Sequence, residues 1–282
     1  MRRILVLGAQ GMLGHDLLEA FGKGYEVIGL SKEELDITHK EVTRRVIMEI
    51  APDVVINAAG YTDVDGCEKG MHKAFAINGE GAKNVAKGCW YSGTKLVHIS
   101  TDYIFDGKKG SPYDEDDLPN PQNIYGESKL LGERYIERFL DDYLIIRTQW
   151  LYGRYGRNFV ETILALAGER KRIEVVNDQV GSPTYTTDLS RTILTLLSKD
   201  LTGIFHVSNS GSCSWYEFAL EILRLADIEG VEIIPISSGT LNRPAKRPIY
   251  SIFNCQKLQK EAGIEMRPWR QGLQDYFNHR KG

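Results

Sequence analysis

The 282-residue chain lacks the features that mark several large classes of protein. It has only four cysteines, at 67, 89, 213 and 255, and no two form a Cys-x-x-Cys pair. That excludes a disulfide scaffold or a cysteine zinc knuckle and fits reduced thiols in a cytoplasmic protein. No run approaches the roughly 20 apolar residues that a membrane-spanning helix needs, so no membrane role is expected. Met1-Arg2-Arg3 passes directly into an apolar run and a glycine loop, which does not read as a secretory leader. The six histidines show no ligand spacing, so no metal is expected. A net charge of −3 gives no bulk attraction to nucleic acid. The acidic run Asp114–Asp117 lies between Pro112 and Pro119 and reads as a solvated loop.

What is present is an alternation. Short apolar runs at 4–7, 25–30, 53–57, 95–100 and 143–147 read as strands. Helical patterns fall between them at 12–23, 39–50, 70–92 and 123–140. This predicts an α/β fold of Rossmann type, a doubly wound parallel sheet covered on both faces. Beyond residue 150 the pattern loosens. Helices are expected at 157–169, 187–198 and 214–226, and strands at 173–176, 204–208 and 231–234. Ser214 and Glu217 form a capping-box pattern. We expect a dinucleotide-binding domain over 1–150. Residues 151–282 should be mainly a smaller α/β substrate-binding region, with some segments returning to the first sheet.

Two local motifs carry chemistry. Gly8-Ala9-Gln10-Gly11-Met12-Leu13-Gly14 follows a strand and opens a helix. The glycines permit a tight turn, a close approach of pyrophosphate to backbone and close helix packing, while free N–H groups at the helix start attract the anion. The second motif is Tyr125 with Lys129, four residues apart on one face of a helix. A phenol has a reference pKa of about 10, and a nearby ammonium would lower it, so the pair could move a proton at a carbonyl. At the end of the second strand, Ser31 and Lys32 replace the acidic residue that would repel a 2′-phosphate. That favours NADP(H), with NAD(H) as the alternative. The small residues of Asn57-Ala58-Ala59-Gly60 suit a backbone lying against a cofactor.

Glycine loop and Tyr-x-x-x-Lys together resemble the short-chain dehydrogenase/reductase superfamily, especially its extended branch acting on nucleotide sugars. The resemblance implies a catalytic set of Thr101, Tyr125 and Lys129, with Lys129 also binding the nicotinamide ribose. It implies cofactor contacts from Gly8, Gln10, Gly11, Met12, Leu13, Gly14, Ser31, Lys32, Asp36, Ile37, Ala58, Ala59, Gly60, Tyr61 and Thr62, besides Tyr125 and Lys129. Thr101 has a plainer alternative as a turn-capping hydroxyl.

Five further runs narrow the match: 57–65, 100–107, 147–153, 178–184 and Arg247-Pro248. In this order they are similar to the dTDP-4-dehydrorhamnose reductase family, over nearly the whole length. That resemblance implies NAD(P)H-dependent reduction of the C4 ketone of a dTDP-linked 4-keto-6-deoxysugar, the last step of dTDP-rhamnose formation. Val64, Thr101, Asp102, Tyr103 and Trp150 would lie along the sugar, and Gln179 and Arg247 nearer the nucleotide. Trp150 has an equal alternative as a core residue, and Arg247 as a surface arginine. Homodimers are common in the superfamily, so a homodimer is the assembly to look for. Dehydratase relatives carry a glutamate where this chain has Tyr103, which argues against elimination chemistry. An epimerase and a non-catalytic dinucleotide-binding subunit of methionine adenosyltransferase type remain as rivals.

Overall fold

A computed structural model describes residues 2–22 and 24–280. Its centre is a six-stranded, all-parallel sheet. The strands are β1 (Arg3–Leu7), β2 (Glu26–Leu30), β3 (Val54–Asn57), β4 (Lys95–Thr101) and β5 (Tyr143–Thr148), joined by β10 (Gly203–His206), in the order β10-β5-β4-β3-β1-β2. The apolar runs are continuous because both faces are buried. Successive residues feed opposite cores: Ile4, Val6, Val54, Ile56 and Val97 enter one, and Leu5, Leu7, Val55 and Leu96 the other. The first face is covered by α1 (Met12–Phe21) and by two helices of the second half, α8 (Thr186–Ser198) and α10 (Gln256–Ala262). The second is covered by α2 (Lys40–Ile50), α5 (Ala82–Ser92) and α6 (Ile124–Phe139).

The expected helix over 70–92 is present: after α3 (Val64–Lys69), α4 (Met71–Ala74), a π-helical stretch Phe75–Gly81 and α5 follow one another without a gap, widened in the middle to π geometry. The reason lies in its crossing with α6. A side chain at Gly79 would press on Leu131 at 2.8 Å, and one at Gly132 would meet the Asn78 carbonyl at 2.5 Å. The wide turn places Asn78 in the interior. Its amide bonds both the N–H and the C=O of Tyr61, at 2.8 and 3.0 Å, and its Nδ2 donates to Ser128 Oγ at 3.0 Å. The loop after β3 is thereby tied to the helix carrying Tyr125 and Lys129.

The second half adds α7 (Phe159–Glu169), α9 (Trp215–Leu225) and α11 (Trp269–Arg280), packed with the strand pair β7 (Arg172–Val176) and β12 (Glu232–Ile236) around a separate core. Short pairs join β6 (Leu151–Tyr152) to β9 (Thr184–Tyr185), and β8 (Val180–Gly181) to β11 (Cys213–Ser214). Ser214 and Glu217 form the expected reciprocal capping box at the start of α9. The acidic run is more structured than a solvated loop. Asp114 and Asp117 pair with Lys109, and the Glu115 carboxylate accepts the backbone N–H of His206. Among the described residues no helix is long and apolar enough to cross a membrane.

Candidate active site

The chain leaves β1 for β2 on one side and reaches β3 on the other, so the loops after β1 and β3 diverge at the carboxyl edge of the sheet. Such a switch point is where ligands bind in doubly wound folds. Two adjoining hollows open there, of about 360 and 550 Å³, sharing Gln10, Gly11, Ala58, Ala59 and Gly60 along their walls.

The smaller hollow fits the adenosine end of a dinucleotide. Gly8, Lys32, Glu33, Asp36, Ile37 and Tyr61 line it. Gly8 has φ +79°, and a Cβ there would lie 2.8 Å from Ala59 N. At Gly14 a Cβ would overlap the Gly8 carbonyl. Gly11 caps α1 without any side chain, so the first N–H groups of that helix remain for an anion. These are the features a pyrophosphate cradle requires, and the residues fit the dinucleotide. Ser31 departs from expectation. It is buried, and it forms a closed turn with Glu34: Ser31 N–H donates to Glu34 Oε2 at 2.7 Å and Glu34 N–H to Ser31 Oγ at 3.3 Å. That leaves Lys32 on the groove wall, with Glu33 beside it.

The larger hollow brings together Met12, Leu13, Gly14, Thr62, Val64, Thr101, Asp102, Tyr103, Tyr125, Lys129 and Trp150. Thr101 ends β4, where its hydroxyl caps the following turn and faces the hollow. Its Oγ1 accepts Tyr103 N–H at 3.3 Å and donates to Asp102 Oδ1 at 3.0 Å, and it also lies against the Tyr125 phenol. Burial pushes Tyr125 above the ordinary phenol range, and the Asp102 carboxylate adds to that push. Burial also raises Asp102 to about 6, and its Oδ2 has no partner. Tyr103 packs edge-on to Tyr125, with ring centroids 5.4 Å apart.

Lys129 differs from the simple picture of an ammonium held against the phenol. Its Nζ lies 2.5 Å from the Ile99 carbonyl and 3.2 Å from His98 Nε2, and burial lowers it to about 8.

Gln179 and Arg247 are not on the cavity wall. Gln179 is buried beside the β8 pairing. Arg247 forms a two-pronged pair with Asp65, at 2.8 and 3.1 Å, behind Tyr103. Its charge is already matched there, so it props the rim instead of standing open to a diphosphate. Trp150 is neither a core residue nor alone. It takes φ +47° at the end of β5 and stacks on Trp215, with centroids 3.5 Å apart and planes at 6°. Trp215, Gln149, Leu151 and Arg157 also line the hollow. Gln149 and Leu151 fall within the 147–153 run, whereas Arg157 and Trp215 lie on segments whose approach depends on tertiary packing, and no local motif announced those two.

The family model described as RmlD substrate binding domain matches residues 1–281. The spore coat polysaccharide biosynthesis protein SpsK of Bacillus subtilis (strain 168) is 45% identical over 99% of this chain and 98% of its own length. A dTDP-4-dehydrorhamnose reductase of Streptomyces griseus is 40% identical over 98% of this chain and 93% of its own. A crystal structure of dTDP-4-dehydrorhamnose reductase from Bacillus anthracis str. Ames, in complex with NADP, superposes with a TM-score of 0.96. It is 43% identical, and the match covers 99% of this chain and 100% of that one.

Proposed function

The chain belongs to the family of the RmlD substrate binding domain, and we propose that it is an NAD(P)H-dependent reductase of a dTDP-linked 4-keto-6-deoxysugar. The substrate we assign is dTDP-4-dehydrorhamnose, reduced at C4 to dTDP-L-rhamnose. One observation carries the chemistry: Thr101, Tyr125 and Lys129 meet in a single hollow that continues into the glycine-loop groove. The reductase names and the NADP-bound relative support the assignment.

Gly8, Gly11, Gly14 and Ala58–Gly60 would hold the dinucleotide backbone-to-phosphate. Lys32 at the adenosine end supports NADP(H) as the preferred cofactor, with NAD(H) as the alternative. When bound, the dihydronicotinamide supplies a hydride. The chain's own groups do the rest. Tyr125 donates a hydrogen bond to the ketone oxygen, where negative charge grows as the carbonyl carbon is reduced, and Thr101 donates a second once its hydroxyl turns from Asp102. The raised phenol suits this direction, because it keeps its proton until an alkoxide forms to take it. Ketone, hydride and one proton give the alcohol. By the family resemblance, Lys129 would hold the nicotinamide ribose. The Trp150–Trp215 stack offers an aromatic face to the sugar or the base.

The test is turnover. Purified protein with NADPH and dTDP-4-dehydrorhamnose should lose the dihydronicotinamide absorbance in step with sugar added. No loss with any dTDP-4-keto-6-deoxysugar would reject the reductase reading in favour of a binding subunit. Interconversion of sugars without net NADPH use would favour an epimerase.

A further inference from the structure

The loop between β6 and α7, residues 153–158, carries two arginines that are used differently. Arg154 is committed to α1: its Nη2 pairs with Asp16 at 3.0 Å and with Glu19. Arg157 is exposed and pairs with no carboxylate among the described residues. It lies on the wall of the larger hollow, together with Gln10, Gly11, Met12 and its own neighbour Gly156.

The loop is fastened to α1 at several points besides Arg154. Tyr155 stacks on His15, with centroids 4.2 Å apart and planes at 23°. Gly153 packs so closely that a Cβ there would overlap the Thr186 hydroxyl, which itself donates to Asp16. Asn158 Nδ2 donates back to the Gly153 carbonyl at 2.9 Å, while its Oδ1 caps α7 by accepting Glu161 N–H at 3.1 Å. Between these anchors Gly156, at φ +70°, turns the chain over Met12, the first residue of α1. A Cβ on Gly156 would lie 3.9 Å from that of Met12. Arg157 is thus delivered beside the N-terminus of α1 by a loop held at both ends, which lowers the ordering cost of binding through it.

The cradle beside it is short of charge. A pyrophosphate brings two negative charges. The glycine loop answers with N–H groups, and the start of α1 with about half an elementary charge. The other cations along the two hollows are placed elsewhere. Lys32 and Lys73 stand at the adenosine end, Lys73 over the Tyr61 ring at 4.2 Å. Lys129 is turned to the Ile99 carbonyl at 2.5 Å. A guanidinium fork is suited to donate to oxygens of both phosphates.

We propose that Arg157 binds the dinucleotide pyrophosphate, so that the second half of the chain completes the cradle begun by the glycine loop. This rests on the dinucleotide-binding reading. A sugar nucleotide carries a diphosphate too. The anchoring of the loop to α1 and the wall shared with Gln10, Gly11 and Met12 favour the cofactor.

Binding tests this without turnover. In fluorescence and competition titrations, Arg157→Gln should weaken NADPH and ADP-ribose, which share the pyrophosphate, by about tenfold each. That is the lower end for a hydrogen bond between charged groups, as befits a site open to solvent. 2′-AMP, which lacks the pyrophosphate, and dTDP, which carries the diphosphate of the sugar nucleotide, should bind as before. Added salt should weaken NADPH binding less steeply in the variant. Arg157→Lys keeps the charge without the fork and should fall between. Unchanged affinity for NADPH and ADP-ribose would overturn the assignment. So would a loss confined to dTDP, which would give Arg157 to the sugar nucleotide, or a loss shared by 2′-AMP, which would mark a general disturbance of the groove. If the unmodified protein bound neither NADPH nor ADP-ribose, the dinucleotide reading would fall and the assignment with it. The expected pattern in a protein that turns over no keto sugar would reject only the reductase reading.

Discussion

The two ends of the groove are built in different ways. At the cofactor end the glycines and alanines of the short loops that directly follow β1 and β3 bring backbone to the groove, with Lys32–Ile37 after β2 and Tyr61 at its side. At the sugar end they are large side chains from distant segments, with Trp150 after β5 stacked on Trp215 of α9. A phosphate cradle needs close approach and free N–H groups, which a few contiguous residues supply. A sugar pocket needs shape, which only packing between the two halves supplies. The Thr101 and Tyr125 hydroxyls stand where the two constructions meet.

Substitutions should therefore separate the ends. Tyr125→Phe removes the proton at the junction. We expect kcat to fall by about 10²–10⁴-fold while NADPH affinity stays near its original value, measured by single-turnover kinetics and fluorescence titration. Gly14→Ala places a Cβ against the Gly8 carbonyl and attacks the cofactor end alone. It should destabilise the chain by about 1–3 kcal/mol in denaturant unfolding and abolish NADPH-dependent stabilisation. Trp215→Ala does the converse. Losing a stacked partner is worth about 0.5–1.5 kcal/mol beyond area, so KM for the sugar should rise by roughly 2–12-fold with NADPH affinity unchanged. Equal damage to both ligands would break the comparison. Lys32→Glu is the mildest: an exposed charge should shift the NADPH-over-NADH preference by no more than about fivefold, in ratios of kcat/KM.

This division also explains what the sequence could reveal. The parallel sheet was legible because each strand is a short apolar run feeding both cores, and the glycine loop because its spacing is local. Tyr125, Lys129 and Thr101 were legible as motifs on a strand end and a helix. Ser31 illustrates the limit. Its position suggested a phosphate contact, yet Glu34 folds back onto it, a competition between local hydrogen bonds that position alone does not reveal. The long helix over 70–92 was legible, but its π-helical middle was not, because it answers to the close crossing with α6. Arg247 was read as open to a ligand because nothing nearby in sequence announced Asp65, 182 residues away. Trp215 and Arg157 carried no signal at all, since each acquires its role from a neighbour on another segment.

The central claim is that this groove delivers a hydride and a proton to a sugar ketone. Its most direct test is to run the reaction with NADPH carrying deuterium at the transferred position and to examine the product by NMR. The account predicts one deuterium at C4 of a dTDP-linked 6-deoxyhexose, with one NADP formed per sugar. Recovery of unlabelled keto sugar with NADPH intact, or of an epimer without net oxidation, would contradict it.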